Sequence, residues 1–127
     1  MADDGRPAGF HTLTPYFRVD GAARFIEFLT AAFGAEETYR MERDDGSIEH
    51  ASLRIGDSML MMTDVTDDLS VSCTYLYVPD VDETYRAALE AGAQSIAEPA
   101  DQYWGDRFAS VRDPFGNTWL IATSRSG

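Results

Sequence analysis

"RDPFGNTWLIA", residues 112–122, is a turn followed by an apolar run, and "RIGDSMLMM", residues 54–62, is a second version of it. Gly56 matches Gly116, Asp57 matches Asn117, Ser58 matches Thr118 and Leu60 matches Leu120. Working outward, the first copy closes a series that the second repeats. "TPYFRV" (14–19) alternates as a strand does, and "AARFIEFLTAAF" (22–33) spaces Ala22, Phe25, Ile26, Leu29 and Phe33 as a helix does. Asp20 is the expected N-cap and Gly34 the expected stop. Strands at 36–43, 47–55 and 58–63 follow, joined by turns at Asp45-Gly46 and Gly56-Asp57. The second series has a strand at 74–78 and a helix capped by Asp80 with Glu83 and stopped by Gly92. Its strands at 94–98, 107–113 and 118–123 follow, with "PADQYWGD" (99–106) as a loop.

The chain therefore reads as α+β: two tandem strand-helix-strand-strand-strand modules, about 12–63 and 72–124. The acidic stretch "DVTDDLS" (64–70) lies in a linker at 64–71. A module of about 60 residues buries too little surface to be comfortable alone. Two modules in one domain of 127 residues form a larger curved, mixed sheet. Its helices lie on the outer face and its other face forms an open cleft.

Composition narrows the function. Net charge is -12, which repels a phosphate backbone and disfavours nucleic acid. An acidic surface attracts cations, although it also serves solubility alone. All ten basic residues are arginine, so lysine Schiff-base chemistry is absent. Cys73 is the single cysteine, which excludes an internal disulfide. No apolar run approaches the ~20 residues of a membrane helix. The start, "MADDGRPAG", lacks the apolar stretch of a secretory signal, so the cytoplasm is the expected location.

Strand alternation sorts the side chains into two faces. Phe17, Val19, Ala51, Leu53, Ile55, Leu76 and Val78 suit the helix-covered side. Tyr16, Arg18, Ile48, His50, Ser52, Arg54, Tyr75, Tyr77, Phe108, Ser110 and Arg112 fall on the open side, with Leu60, Met62, Leu120 and Ala122. Apolar walls with a few polar anchors suit a small-molecule groove. The same mixture suits a homodimer interface.

The paired modules, the "VDGAARFIEFLTAAFGAE" helix, "LRIGDSMLMM" and "DQYWGDRFASVRDPFGNTWLIAT" together resemble the vicinal oxygen chelate superfamily. This is the fold of glyoxalase I, extradiol dioxygenases, fosfomycin-resistance enzymes and bleomycin-binding resistance proteins. "WGDRFASVRDPFGN" is the strongest element and resembles the stretch seen in bleomycin-resistance-like members. The resemblance implies a two-fold homodimer. It also implies metal ligands at positions that fall here on Thr14, His50, Cys73 and Leu120. Leucine binds no metal, threonine is weak and a lone cysteine is usually a small core residue, while a catalytic site wants three good donors.

The expected function is thus metal-independent binding of a small hydrophobic or cationic molecule, as in a drug-sequestering protein, with no cofactor and no catalytic residue. Tyr16, Arg18, His50, Arg54, Tyr75, Tyr77, Trp104, Phe108 and Arg112 are the expected ligand-binding residues. The alternative is a lyase, isomerase or dioxygenase with an atypical metal site. His50 reads as a hydrogen-bonding group or a general base, and His11 as a surface residue. Tyr103 and Trp104 beside Asp101 and Asp106 suit either stacking on a flat cation or pinning the loop. In the first case, Gly105 is a bend that lets residues 101–106 close over a ligand. On this reading the purified protein carries no stoichiometric zinc, nickel or iron. Elemental analysis showing about one such ion per chain after mild dialysis contradicts it.

Overall fold

A computed structural model describes residues 4–125, so the outermost residues of the expected domain, 1–3 and 126–127, lie outside it. Two helices and eight strands appear in the expected order. They are β1 (Tyr16–Val19), α1 (Ala22–Phe33), β2 (Glu36–Glu42), β3 (Ile48–Ile55), β4 (Ser58–Asp64), β5 (Cys73–Tyr77), α2 (Val81–Glu90), β6 (Gln94–Asp101), β7 (Asp106–Arg112) and β8 (Thr118–Ser124). The strands form two four-stranded mixed sheets with the same topology, β1-β4-β3-β2 and β5-β8-β7-β6. In each, the first and last strands of the module run parallel and the rest antiparallel. Two compact units result, residues 4–30 with 34–70 and residues 31–33 with 71–125.

In the first unit, α1 covers the face that carries Phe17, whose ring lies 5.2 Å from that of Phe25. Phe17, Val19, Phe25, Leu29, Ala51 and Leu53 are all buried. Pairing aligns Phe17 with Met62, Met62 with Ala51, and Leu53 with Leu60. Directly paired residues share a face, so Leu60 and Met62 lie on the helix side, not on the open side where sequence matching put them. Met61, opposite both Tyr16 and Ser52, takes the open position. The cause is a turn. Ile55 pairs with Ser58 around a two-residue turn, whereas Arg112 pairs with Thr118 around five residues, 113–117. Ser52 faces Met61, and its counterpart Ser110 faces Leu120. The first copy is one residue shorter between these pairs, so Met61, not Leu60, is the counterpart of Leu120. A one-residue slip exchanges the faces of a strand. Ile48 also departs from the alternation. The register jumps from Met41 opposite His50 to Glu42 opposite Ile48, and the bulge at Glu49 leaves Ile48 buried.

Asp20 does not cap α1. The N-cap is Gly21, at φ 105° and without a side-chain cap of its own. Parallel pairing sets Asp64 opposite Val19. Asp64 Oδ1 then accepts from the N–H groups of Gly21 (2.9 Å) and Ala22 (2.7 Å), while Oδ2 accepts from Ile48 N–H (2.8 Å). Burial pushes this carboxyl up, but the three N–H donors, helped by Arg43, outweigh that and hold it below the ordinary carboxylate value. β4 thus runs one residue into the segment read as linker. The second helix is capped as expected: Asp80 Oδ1 accepts from Glu83 N–H at 3.2 Å.

In the second unit, α2 packs on β6, β7 and β8. Ala109, Val111, Trp119 and Ile121 form the buried set, and the Trp119 ring lies 4.8 Å from Phe33. The loop 113–117 is organised by Asp113, which is 3% exposed. Its carboxylate accepts from Phe115 N–H (2.8 Å), Asn117 N–H (3.0 Å), Asn117 Nδ2 (3.2 Å) and Trp119 Nε1 (2.8 Å). Asn117 Oδ1 in turn accepts from Ser72 N–H and Oγ, both at 3.1 Å, at the entrance to β5.

Asp64→Ala removes one acceptor from three N–H groups and should lower unfolding free energy by about 2–4 kcal/mol in urea titrations at neutral pH. Because the folded-state value of Asp64 is depressed, its contribution is full above the ordinary carboxylate value of about 3.9 and is lost as pH falls through the lower folded value. Wild type and variant should therefore converge in stability in acid. Trp119→Ala should cost about 3–5 kcal/mol as a core truncation, read as a fall in melting temperature.

Candidate functional site

The expected binding residues divide between the two units. In the first, the pleat of β1 and β3 leaves Tyr16 and His50 on the face away from α1. The His50 ring lies 6.0 Å from Tyr16 and 6.1 Å from Tyr39, a neighbour that strand reading had not singled out. Its Nε2 is 3.4 Å from Ser52 Oγ, and among the described residues it meets no acid. This arrangement orients an imidazole but supplies no acid–base partner. Arg18 and Arg54 are held elsewhere, at the sheet margin. Arg18 donates to the Asp68 carbonyl at 3.0 Å and lies 3.6 Å from the Asp68 carboxylate, and Arg54 pairs with Glu36 at 2.7 Å. Such half-exposed pairs contribute about 1 kcal/mol or less. They set where the guanidinium groups point.

The second unit gathers four of the expected residues around one that sequence reasoning did not nominate. Asp106 opens β7 and is 6% exposed. Its Oδ2 accepts from Tyr75 Oη at 2.6 Å, Tyr77 Oη at 3.3 Å and Trp104 Nε1 at 3.3 Å. Trp104 Nε1 also lies 3.3 Å from Tyr75 Oη. Ring centroids form a continuous chain: Tyr77 to Tyr75 5.1 Å, Tyr75 to Phe108 5.9 Å, Phe108 to Trp104 5.7 Å and Trp104 to Tyr103 5.2 Å. Tyr75, Tyr77 and Trp104 remain 39%, 63% and 48% exposed. Partial desolvation, followed by the adjacent Asp106 carboxylate, pushes both tyrosine hydroxyls above the ordinary phenol value. A signal for Asp106 was present: it is two residues from Phe108, on the same strand face. Reading residues 99–106 as a loop hid it.

That loop is a hairpin turn. β6 extends through Pro99 to Asp101, which pairs with Arg107. Proline is tolerated there because β6 is an edge strand. Gln102 N–H donates to Asp106 O at 2.8 Å, and Gly105 N–H donates to Gln102 O at 3.2 Å, with Gly105 at φ 101°. These two bonds close residues 102–105 into a tight turn, in which the glycine takes the positive φ. Arg112 stands four positions along β7 from Phe108, about 13 Å in an extended strand. It is exposed and forms no ion pair among the described residues.

The donor set does not fit the metal that the fold implies. Leu120 lies opposite Tyr75 and Ser110, Cys73 lies opposite Thr118, and the first-unit counterpart of Leu120 is Met61. Among the described residues, no three or more His, Cys, Asp or Glu side chains are grouped to hold a metal ion. An open cavity of about 450 Å³ in the first unit, lined by Asp20, Arg43, Asp45, Asp64 and Asp67 among others, contains none of the nominated residues.

A family model described as the Glyoxalase/Bleomycin resistance protein/Dioxygenase superfamily matches residues 9–121. An uncharacterized protein of Mycobacterium bovis is 38% identical over 134 residues, covering 95% of this chain and 86% of the relative. Among solved structures, TioX from Micromonospora sp. ML1 superposes with a TM-score of 0.73 at 24% identity, over 88% of this chain and 98% of that one. The fosfomycin resistance protein FosX from Mesorhizobium loti gives 0.68 at 17% identity, over 90% and 92%. At these identities the two structures speak for the fold alone.

Asp106→Asn keeps the shape and removes the charge. The high-pH phenol titration of Tyr75 and Tyr77, followed by ultraviolet absorbance, should move down towards the ordinary value of about 10. An unchanged titration means that Asp106 does not act on these hydroxyls.

Proposed function

The chain belongs to the glyoxalase/bleomycin resistance protein/dioxygenase superfamily, and from that premise we propose that it is a metal-independent binder of a small hydrophobic or cationic molecule. One observation carries the reading: four aromatic rings, three of them half-exposed, are lined up around a buried carboxylate on a sheet face with no helix of its own module. Exposed aromatic surface of this size is costly to leave in water unless something covers it. Stacking contributes about 0.5–1.5 kcal/mol per ring beyond area burial, and the acidic surface raises the local concentration of cations. A sequestering protein of this kind captures its ligand one to one, without turnover. On this reading it acts in the cytoplasm as a homodimer, in which a second copy shields part of the exposed aromatic surface.

Titration with a flat cationic antibiotic of the bleomycin kind, by calorimetry and tryptophan fluorescence, tests the proposal. The wild type should bind. Trp104→Ala should bind about tenfold more weakly, a loss of about 1.4 kcal/mol, with its melting temperature little changed. Equal affinity in the two proteins makes Trp104 a turn clamp and removes the support for capture. Light scattering should report a dimer at micromolar concentration, and a monomer of 14.1 kDa contradicts that part.

A further inference from the structure

The geometry at Asp106 points to a ligand class: we infer that the aromatic face of the second unit recognises a protonated amine carried on a flat apolar ring, with Asp106 Oδ1 accepting the ammonium N–H. The inference rests on the binding reading above and narrows it.

Three donors, Tyr75 Oη, Tyr77 Oη and Trp104 Nε1, converge on a single oxygen, Oδ2. The other oxygen, Oδ1, accepts no hydrogen bond among the described residues. It is also not sealed from solvent, since no buried side-chain oxygen or nitrogen lacks a partner there. A carboxylate that is 6% exposed overall, with one oxygen unbonded and not wholly cut off from solvent, is a placed charge, not a solvated one. A neutral apolar ligand would meet that charge without compensating it, which is costly. An anion would be repelled by Asp106 and by a net charge of -12. A cation gains from both, and from the faces of Tyr75, Tyr77, Phe108 and Trp104. Among cations an N–H is required to use Oδ1, since a quaternary ammonium can only lie over the rings, while a neutral O–H brings a donor without the charge. No arginine competes. Arg107, the next residue in β7, is engaged by Asp82 at 3.0 Å and Asp101 at 3.1 Å.

Three probes built on one phenylethyl group separate the contributions: 2-phenylethylamine as its ammonium ion, its N,N,N-trimethyl derivative, and neutral 2-phenylethanol, which matches the amine in size. Calorimetry with the wild type should rank them in that order, with the alcohol at least tenfold weaker than the amine. Asp106→Asn should weaken the amine by about the same factor and leave the alcohol unchanged, which also reports that the rings stay in place. Equal binding of amine and alcohol by the wild type overturns the inference. So does an equal loss of both in Asp106→Asn, which would give Asp106 only the task of holding the rings. Failure of all three probes overturns it as well, while the antibiotic titration decides separately whether the wider binding reading stands.

Discussion

The carboxylate of Asp113, almost wholly buried, gathers the donors of Phe115, Asn117 and Trp119 into one loop. Much of the second unit depends on that arrangement. Burying a carboxylate is costly unless it is hydrogen-bonded, and the donors of this loop meet both Asp113 oxygens, so the loop length and the β7–β8 register are set together. Register in turn decides which side chains share a face. Trp119 is drawn into the core by the same carboxylate that shapes the loop. Its neighbours Thr118 and Leu120 face the other way, opposite Arg112 and Ser110. Asn117 extends the network to Ser72 and so fixes the start of β5, the strand that carries Tyr75 and Tyr77. The aromatic face is assembled from a polar knot on the opposite side of the sheet.

Much of this was legible in the residues. The doubled order of strands and helices, the extent of α1 and the cap on α2 all follow from periodicity and turn chemistry. What was not legible has one physical origin, the insensitivity of short motifs to register. "RIGDSMLMM" and "RDPFGNTWLIA" share the turn glycine, set Asp57 against Asn117 and Ser58 against Thr118, and share a leucine further on, yet the strands beyond the turn are offset by one. Leu60 and Met62 therefore belong to the core while Leu120 does not. The cap on α1 was hidden for another reason. Its acceptor is remote in sequence, and Asp20 is a locally plausible decoy. Asp106 is visible in the sequence beside Trp104, but not as a strand residue on the face of Phe108, because residues 99–106 resemble a loop while β7 in fact begins at Asp106.

The charges of this chain largely answer one another. Arg18, Arg54 and Arg107, three cations that strand alternation sets among or beside the aromatic residues, are each paired with an acid nearby in space. Acids outnumber bases by 22 to 10, so negative charge is left over even if every arginine is paired. The surface character that an approaching molecule meets is therefore acidic, even where individual arginines are exposed. Asp106, like Asp113, is turned inward, towards aromatic donors instead of guanidinium groups.

The two helices also differ in when they can be completed as the chain leaves the ribosome. Asp80 caps α2 from the residue immediately before it, so that helix has its first-turn acceptor as soon as it is synthesised. The acceptor for α1 is Asp64, 43 residues after Gly21. Until β4 has emerged and paired with β1, the first turn of α1 is open, and a burst of early helix there has nothing to hold it. The first module is committed only at its last strand residue, which makes it an all-or-none unit of nascent folding. The second can begin from its helix outward.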